Sequence, residues 1–253
     1  MQRWQSLLLT SLLSGSIAAC GAQEPADDTR YETYESSGVV FHVPPGDRSL
    51  TSRLLRGGGA PNQKIVELIA SHQRGGSVID VGAHLGSVSL PTSHALADRG
   101  KVFAFEPNRD NARALRASKS ANSLDNFVIH EIALGAEKGT AHFSVADQSG
   151  RGRVGQTDEE GSDYEVRVDV LDSFEFPRID FIKIDAEGHD LDIVLGGARL
   201  IERDHPVLLI EMQSNSGFRG GLSREQAIER IAAMGYVATH WGGTFGDFLF
   251  IPK

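Results

Sequence analysis

Val78-Ile79-Asp80-Val81-Gly82-Ala83-His84-Leu85-Gly86 is the stretch that decides the fold of this 253-residue chain. Ser77–Val81 is a short, nearly continuous apolar run, the pattern of a strand covered on both faces, as in a parallel sheet. The glycine-rich turn Gly82–Gly86 follows directly. The segment from there to Asp98 reads as helix, with Pro91 tolerable because it falls near the first turn. In doubly wound sheets, ligands sit beyond the carboxyl ends of strands, where chain order reverses, so this turn is the first candidate site. Glycines there let backbone approach a ligand, and N–H groups at a helix start suit an anionic group.

The alternation continues outward from that unit. Upstream, Gln63–His72 places Ile65, Val66, Ile69 and Ala70 at helical spacing. Downstream, Lys101–Phe105 reads as strand, Arg109–Ala121 as helix and Phe127–Ala133 as strand. Two further strand-like runs, Thr140–Val145 and Tyr164–Val170, flank a polar loop with several glycines. Asp180–Ile184 reads as strand, Asp190–Ile201 as helix, Pro206–Met212 as strand and Arg224–Met234 as helix. Val237–Trp241 and Asp247–Ile251 form a closing hairpin that adds an antiparallel strand at or near an edge. The order implies one α/β domain over 39–253: a doubly wound, mostly parallel sheet with helices on both faces.

The net charge of -9 argues against binding a nucleic-acid backbone, which needs a basic face. A single cysteine, Cys20, excludes an internal disulfide framework and any multi-cysteine zinc site. Arg3, the apolar run Leu7–Leu13 and the small residues Ser14–Ala19 have the layout of a cleaved export signal over residues 1–20. Ile17-Ala18-Ala19-Cys20 also resembles a bacterial lipobox, so membrane contact is expected only through a lipid on Cys20. The polar residues 21–38 then read as a tether. The expected location is the cell envelope, or the cytoplasm if residues 1–20 are no signal. The sequence does not state an oligomeric state.

Two further strand ends carry chemistry. Phe105-Glu106-Pro107 places a carboxylate at the tip of the strand after the glycine turn, where an acceptor-only group suits the two hydroxyls of a ribose. Phe181–Asp190 (FIKIDAEGHD) emits Asp185, Glu187 and His189 at the end of another strand on the same sheet edge. Such a cluster suits proton transfer, with His189 the group whose ordinary pKa lies nearest neutrality. Asp190 reads instead as a helix cap. Asp185, Glu187 and His189 are also hard or borderline metal ligands, but the turn at Gly188 argues against all three reaching one ion, and no metal is expected.

Here the chain resembles a known family. The spacing Asp80-x-Gly82-x-x-x-Gly86 is similar to motif I of class I methyltransferases. Val78–Gly86, Phe103–Pro107 (FAFEP), Phe181–Asp190 and Pro206–Glu211 (PVLLIE) resemble successive blocks of the FkbM methyltransferases. Ile132–Gly135 resembles the family's segment after the third strand, beside the adenine. The resemblance implies a seven-stranded, Rossmann-like fold, S-adenosyl-L-methionine as cofactor, and O-methylation of a hydroxyl on a small molecule or saccharide. It gives cofactor contacts to Asp80, Gly82, Ala83, His84, Gly86, Glu106 and Ala133, and sets Asp185, Glu187 and His189 toward the acceptor. His84 stands where the family commonly has Asn, and His189-Asp190 where it has a small residue and Glu. Two other classes stay open: a surface binding protein that retains the fold without catalysis, and a nicotinamide oxidoreductase, which the glycine spacing disfavours.

Overall fold

The computed structural model describes residues 31–145, 152–154, 162–212, 222–242 and 246–253. The expected export signal, its Cys20 and the first part of the polar tether lie outside the described residues. In chain order the elements are β1 (Glu32–Ser36), β2 (Val39–Val43), α1 (Leu50–Arg56), α2 (Gln63–His72), β3 (Ser77–Val81), α3 (Ser89–Leu96), β4 (Val102–Phe105), α4 (Arg109–Ala121) and β5 (Phe127–His130). There follow β6 (Ala133–Leu134), β7 (Gly139–Val145), β8 (Gly152–Val154), β9 (Ser162–Asp169), β10 (Ile179–Ile184), α5 (Asp190–Gly196), α6 (Ala198–Asp204), β11 (Val207–Glu211), α7 (Arg224–Ala232), β12 (Tyr236–Gly242) and β13 (Asp247–Pro252).

The main sheet has seven strands in the order β12-β13-β11-β10-β3-β4-β5. Strands β11, β10, β3, β4 and β5 run parallel, and the closing hairpin joins antiparallel through β13, with β12 at the edge. This is the doubly wound α/β architecture expected from the alternation. Every residue of β3, β4 and β10 is buried. The alternating side chains feed two cores. On one face Ile79, Phe105, Ile182 and Ile210 pack with Ile193 of α5, Ile201 of α6 and Ile231 of α7. On the other, Val78, Ala104, Phe181 and Leu209 pack with Ile69 of α2, Leu90 of α3 and Leu115 of α4. A strand between two helix layers has no polar face, which is why these runs read as continuously apolar. Among the described residues no helix is long and apolar enough to cross a membrane.

Four boundaries differ from the sequence reading, each for a tertiary reason. The polar stretch 21–38, read as a tether, contains β1 from Glu32. Ser37 and Gly38 both have positive φ (52° and 75°), which suits the tight turn joining β1 to β2. The far edge of β2 is tied to α4, since Val40 N donates to Asn122 Oδ1 at 2.8 Å and His42 N to Ser118 Oγ at 2.8 Å. The run Phe127–Ala133 splits: β5 ends at His130, and Ala133–Leu134 pairs instead with β9 in a four-stranded sheet of order β6-β9-β7-β8. The loop between β7 and β9 contributes β8 to that sheet.

The expected helix Asp190–Ile201 is two helices. Gly196 packs so closely on the Gly135 backbone that a Cβ there would strike the Gly135 carbonyl, and the chain bends at Gly197. The Asp172 carboxylate then caps α6, accepting from Arg199 N at 3.0 Å and Leu200 N at 2.9 Å. A cap supplied from 27 and 28 residues away leaves no local sequence signal.

Candidate active site

Chain order in the main sheet reverses between β3 and β10, and a crevice opens beyond their carboxyl ends. Register explains what meets there. Val81 lies opposite both Phe105 and Ile184, so the residues that follow, Gly82, Glu106 and Asp185, emerge side by side. The crevice is lined by Asp80, Gly82, Ala83, His84, Glu106, Ala133, Asp185, Glu187 and His189 among others. Of the expected site residues, Gly86 alone is not in that lining.

The glycine turn works differently from the simple expectation. Gly82 has φ +74°, and a Cβ on it would overlap the Asp185 carbonyl. Gly86 has φ +80°, and its Cβ would come 2.7 Å from Leu115 and 2.8 Å from Leu90. Both glycines therefore serve close packing of protein on protein, and Gly86 shapes the site from behind. The N–H groups at the start of the turn are engaged as well. Gly82 N and Ala83 N donate to Phe105 O at 3.0 and 3.2 Å, and His84 N donates to Glu106 Oε2 at 2.7 Å.

Glu106 is 5% exposed. Besides His84 N, it accepts Asn108 N at 2.9 Å and Asn111 Nδ2 at 3.4 Å on Oε1. Asn108 is also the N-cap of α4, accepting Asp110 N and Asn111 N, so the start of the helix and the carboxylate are fixed together. Burial pushes the Glu106 carboxyl up to about 7, against the pull of these hydrogen bonds and of Lys183. A carboxylate has about four acceptor positions, so one held by backbone donors still has capacity toward the crevice. Such a group fits a pair of vicinal hydroxyls. Ile132, Ala133, Leu134 and Phe143 add an apolar wall from the segment after β5 and from β7.

Across the opening, the Asp185 side chain is 40% exposed and its Oδ2 lies 3.3 Å from Lys183 Nζ. Glu187 sits at φ +51° and Gly188 at φ +103°, two successive left-handed residues that turn the chain sharply. Asp190 stabilises the turn. Its carboxylate is 1% exposed and accepts Ala186 N at 2.9 Å and Gly188 N at 3.2 Å. Burial lifts the Asp190 carboxyl to about 7. This differs from the helix cap read from sequence: the carboxylate ties the turn before α5, whose N-cap is His189 with no side-chain capping bond. His189 precedes the first residue of α5, half-buried, with Nδ1 3.8 Å from Asp192 Oδ2. That separation becomes an ion pair only when the imidazole is protonated. Among the described residues no group of three His, Cys, Asp or Glu side chains is placed to hold a metal ion.

Several crevice residues carry no obvious motif. Lys183 lies deep in the crevice, opposite Asp80 in strand register and 3.3 Å from its Oδ1. A lysine between isoleucines in a buried strand was the signal, since such a charge persists only when paired. Burial lowers its pKa, but Asp80 and Asp185 outweigh that and hold it above the ordinary lysine range. Glu211, the last residue of β11, also lines the crevice. Asp247 lies opposite Glu211 in register, its carboxyl pushed up by burial and by the charge of Asp185. The short helix α1 and its N-cap bring Ser49, Leu50, Thr51 and Leu54 to the opening, and nothing local in sequence marks them.

Residues 80–238 match the family model described as the methyltransferase FkbM domain. The hexuronic acid methyltransferase AglP of Haloferax volcanii is 26% identical over 148 residues, covering 57% of this chain and 58% of that protein. This chain therefore spans less than two thirds of that relative's length. Among solved structures, the FkbM methyltransferase of Methylobacillus flagellatus KT is 18% identical with a TM-score of 0.48, over 69% of this chain and 43% of that one. An O-methyltransferase of Bacillus cereus, solved in complex with SAH, is 14% identical with a TM-score of 0.44, over 80% and 86% of the two chains.

Proposed function

The chain belongs to the FkbM methyltransferase family, and from that premise we propose that it transfers a methyl group from S-adenosyl-L-methionine to a hydroxyl oxygen of a saccharide or similar small molecule. The observation that carries the reading is the juxtaposition of Glu106 and the Gly82 turn with Asp185, Glu187 and His189 around one crevice. The relative that acts on a hexuronic acid supports a saccharide acceptor.

The residues fit the cofactor on chemical grounds. Glu106, oriented by His84 N and Asn108 N, is an acceptor suited to the two ribose hydroxyls. Ala133 and Phe143 offer an apolar surface to a flat base, and Gly82–His84 shape the remaining part of the seat. When bound, the cofactor supplies an electrophilic methyl group on sulfur, and transfer is an in-line displacement in which placement supplies most of the rate.

The chain's own part is to place the acceptor and manage one proton. Asp185 has one oxygen engaged by the Lys183 ammonium, so it orients an acceptor hydroxyl better than it removes the proton. His189, half exposed beside Asp192, is the general base in this reading, with Glu187 a further contact to the acceptor. Incubation with cofactor carrying a labelled methyl group and a panel of neutral and acidic glycosides tests it by mass spectrometry. A methyl ether on a sugar hydroxyl is expected; methylation of nitrogen or carboxylate alone would sink the O-methyl assignment.

Export through Ile17–Cys20 belongs to the same proposal. It expects a mature N-terminus at Cys20, with or without lipid, by mass spectrometry of the protein from its host. An N-terminus at Met1 contradicts it.

A further inference from the structure

Lys183 lies between Ile182 and Ile184 in the centre of the main sheet, its side chain 9% exposed. Its Nζ is 3.2 Å from Gly82 O, 3.3 Å from Asp80 Oδ1 and 3.3 Å from Asp185 Oδ2. Gly82 O accepts a hydrogen bond from the ammonium, and the two carboxylates flank it as ion pairs. These groups belong to two separate pieces of chain: the end of β3 with the turn directly after it, and the segment after β10. Asp80 is held from its other side, because Ser89 Oγ at the start of α3 donates to Oδ2. Asp80 Oδ1, by contrast, is buried with no hydrogen-bond partner and faces only the ion pair. Gly82 rests against the Asp185 carbonyl on the face where a Cβ would be.

We infer that Lys183 is a positioning residue that fastens the Gly82 turn and the Asp185 segment to Asp80, and so sets the spacing of the two walls of the crevice. The arrangement needs both charge and direction. A neutral side chain of similar length fills the volume, but it leaves Gly82 O and the Asp185 carboxylate without a shared donor. It also leaves Asp80 as a buried charge with no counterion, the costly half of a broken pair. The assignment of the walls to cofactor and acceptor rests on the function proposed above; the fastening itself needs no ligand.

Two variants separate these effects: Lys183→Met, and Lys183→Met combined with Asp80→Asn, which removes the stranded charge. Each is measured by thermal unfolding, by amide hydrogen exchange of the ligand-free protein at Ala83 and His84, and by calorimetry with S-adenosylhomocysteine. Lys183→Met is expected to melt well below the wild type, and the double variant to recover most of that loss. Exchange at Ala83 and His84 nevertheless stays about tenfold or more faster than in the wild type, and affinity about tenfold or more lower. Exchange protection that returns together with the melting temperature would overturn the inference, because Lys183 would then only neutralise Asp80. Wild-type exchange in Lys183→Met overturns it too, as does failure of both variants to fold. If the wild type itself does not bind S-adenosylhomocysteine, the cofactor reading falls, and the exchange measurement still decides the role of Lys183.

Discussion

The wall at Gly82–His84 and Glu106 is made of backbone and a buried acid, whereas the facing wall at Asp185–His189 is made of side chains half open to solvent. In the first, Gly82 N, Ala83 N and His84 N all donate within the site, and Glu106 is 5% exposed. In the second, the Asp185 side chain is 40% exposed and the His189 side chain, 37% exposed, lies 3.8 Å from Asp192. A wall whose polar atoms bond one another is rigid before any ligand arrives, which suits an invariant ligand. A wall of partly solvated side chains on a tight turn can be altered without disturbing the sheet, which suits a variable acceptor.

The sharpest way to break that contrast is Gly82→Ala. The position combines φ +74° with a Cβ that would overlap the Asp185 carbonyl, so both walls should be displaced at once. A loss of about 3 kcal/mol or more in denaturant unfolding is expected, together with loss of cofactor-product binding. A variant with wild-type stability would show that the two walls do not meet through Gly82.

Glu106→Gln comes next. It should retain the fold and bind S-adenosylhomocysteine roughly tenfold to a hundredfold more weakly by calorimetry, as a charge-assisted pair of hydrogen bonds is lost. His189→Ala should do the reverse, lowering turnover about a hundredfold while product affinity changes less than about twofold. If both substitutions moved affinity and turnover equally, the division of labour between the walls would be wrong.

The last test concerns pH. Burial raises the folded-state carboxyl of Glu106 from the usual 4.5 to about 7. The folded protein holds this proton more tightly than the unfolded chain, so the contribution to stability is full below about 4.5 and is lost as pH rises through 7. Relative to Glu106→Gln, the ligand-free wild type should therefore lose stability between those values. A difference in melting temperature that stays constant from pH 4 to 8 would remove the buried acid from the account.

Much of the main sheet could be read from the sequence because its signals are local. Continuous apolar runs at Ser77–Val81 and Asp180–Ile184 marked strands buried on both sides, and the alternation with helical segments implied parallel order. Chain order then put Gly82, Glu106 and Asp185 on one edge, so the candidate site was largely legible as well. What escaped reading depended on distant partners. The split of Phe127–Ala133 follows from β6 pairing with β9, and the break at Gly196–Gly197 from contact with Gly135 and a cap from Asp172. The α1 residues at the opening are contributed by a short helix whose position only packing decides.

By itself, then, the sequence determined the strand and helix order, the family's motif positions and the edge of the sheet where chemistry gathers. These follow from hydrophobic periodicity and from glycine and carboxylate placement, which act over a few residues. Only the tertiary structure decided that Gly82 and Gly86 are small for the sake of protein packing, and that Gly86 stands behind the site. It alone decided that Lys183 serves Asp80, Gly82 and Asp185 together. Strand register is a long-range property, so charges about a hundred residues apart in sequence reveal their partnership only when the sheet brings them within 3.3 Å.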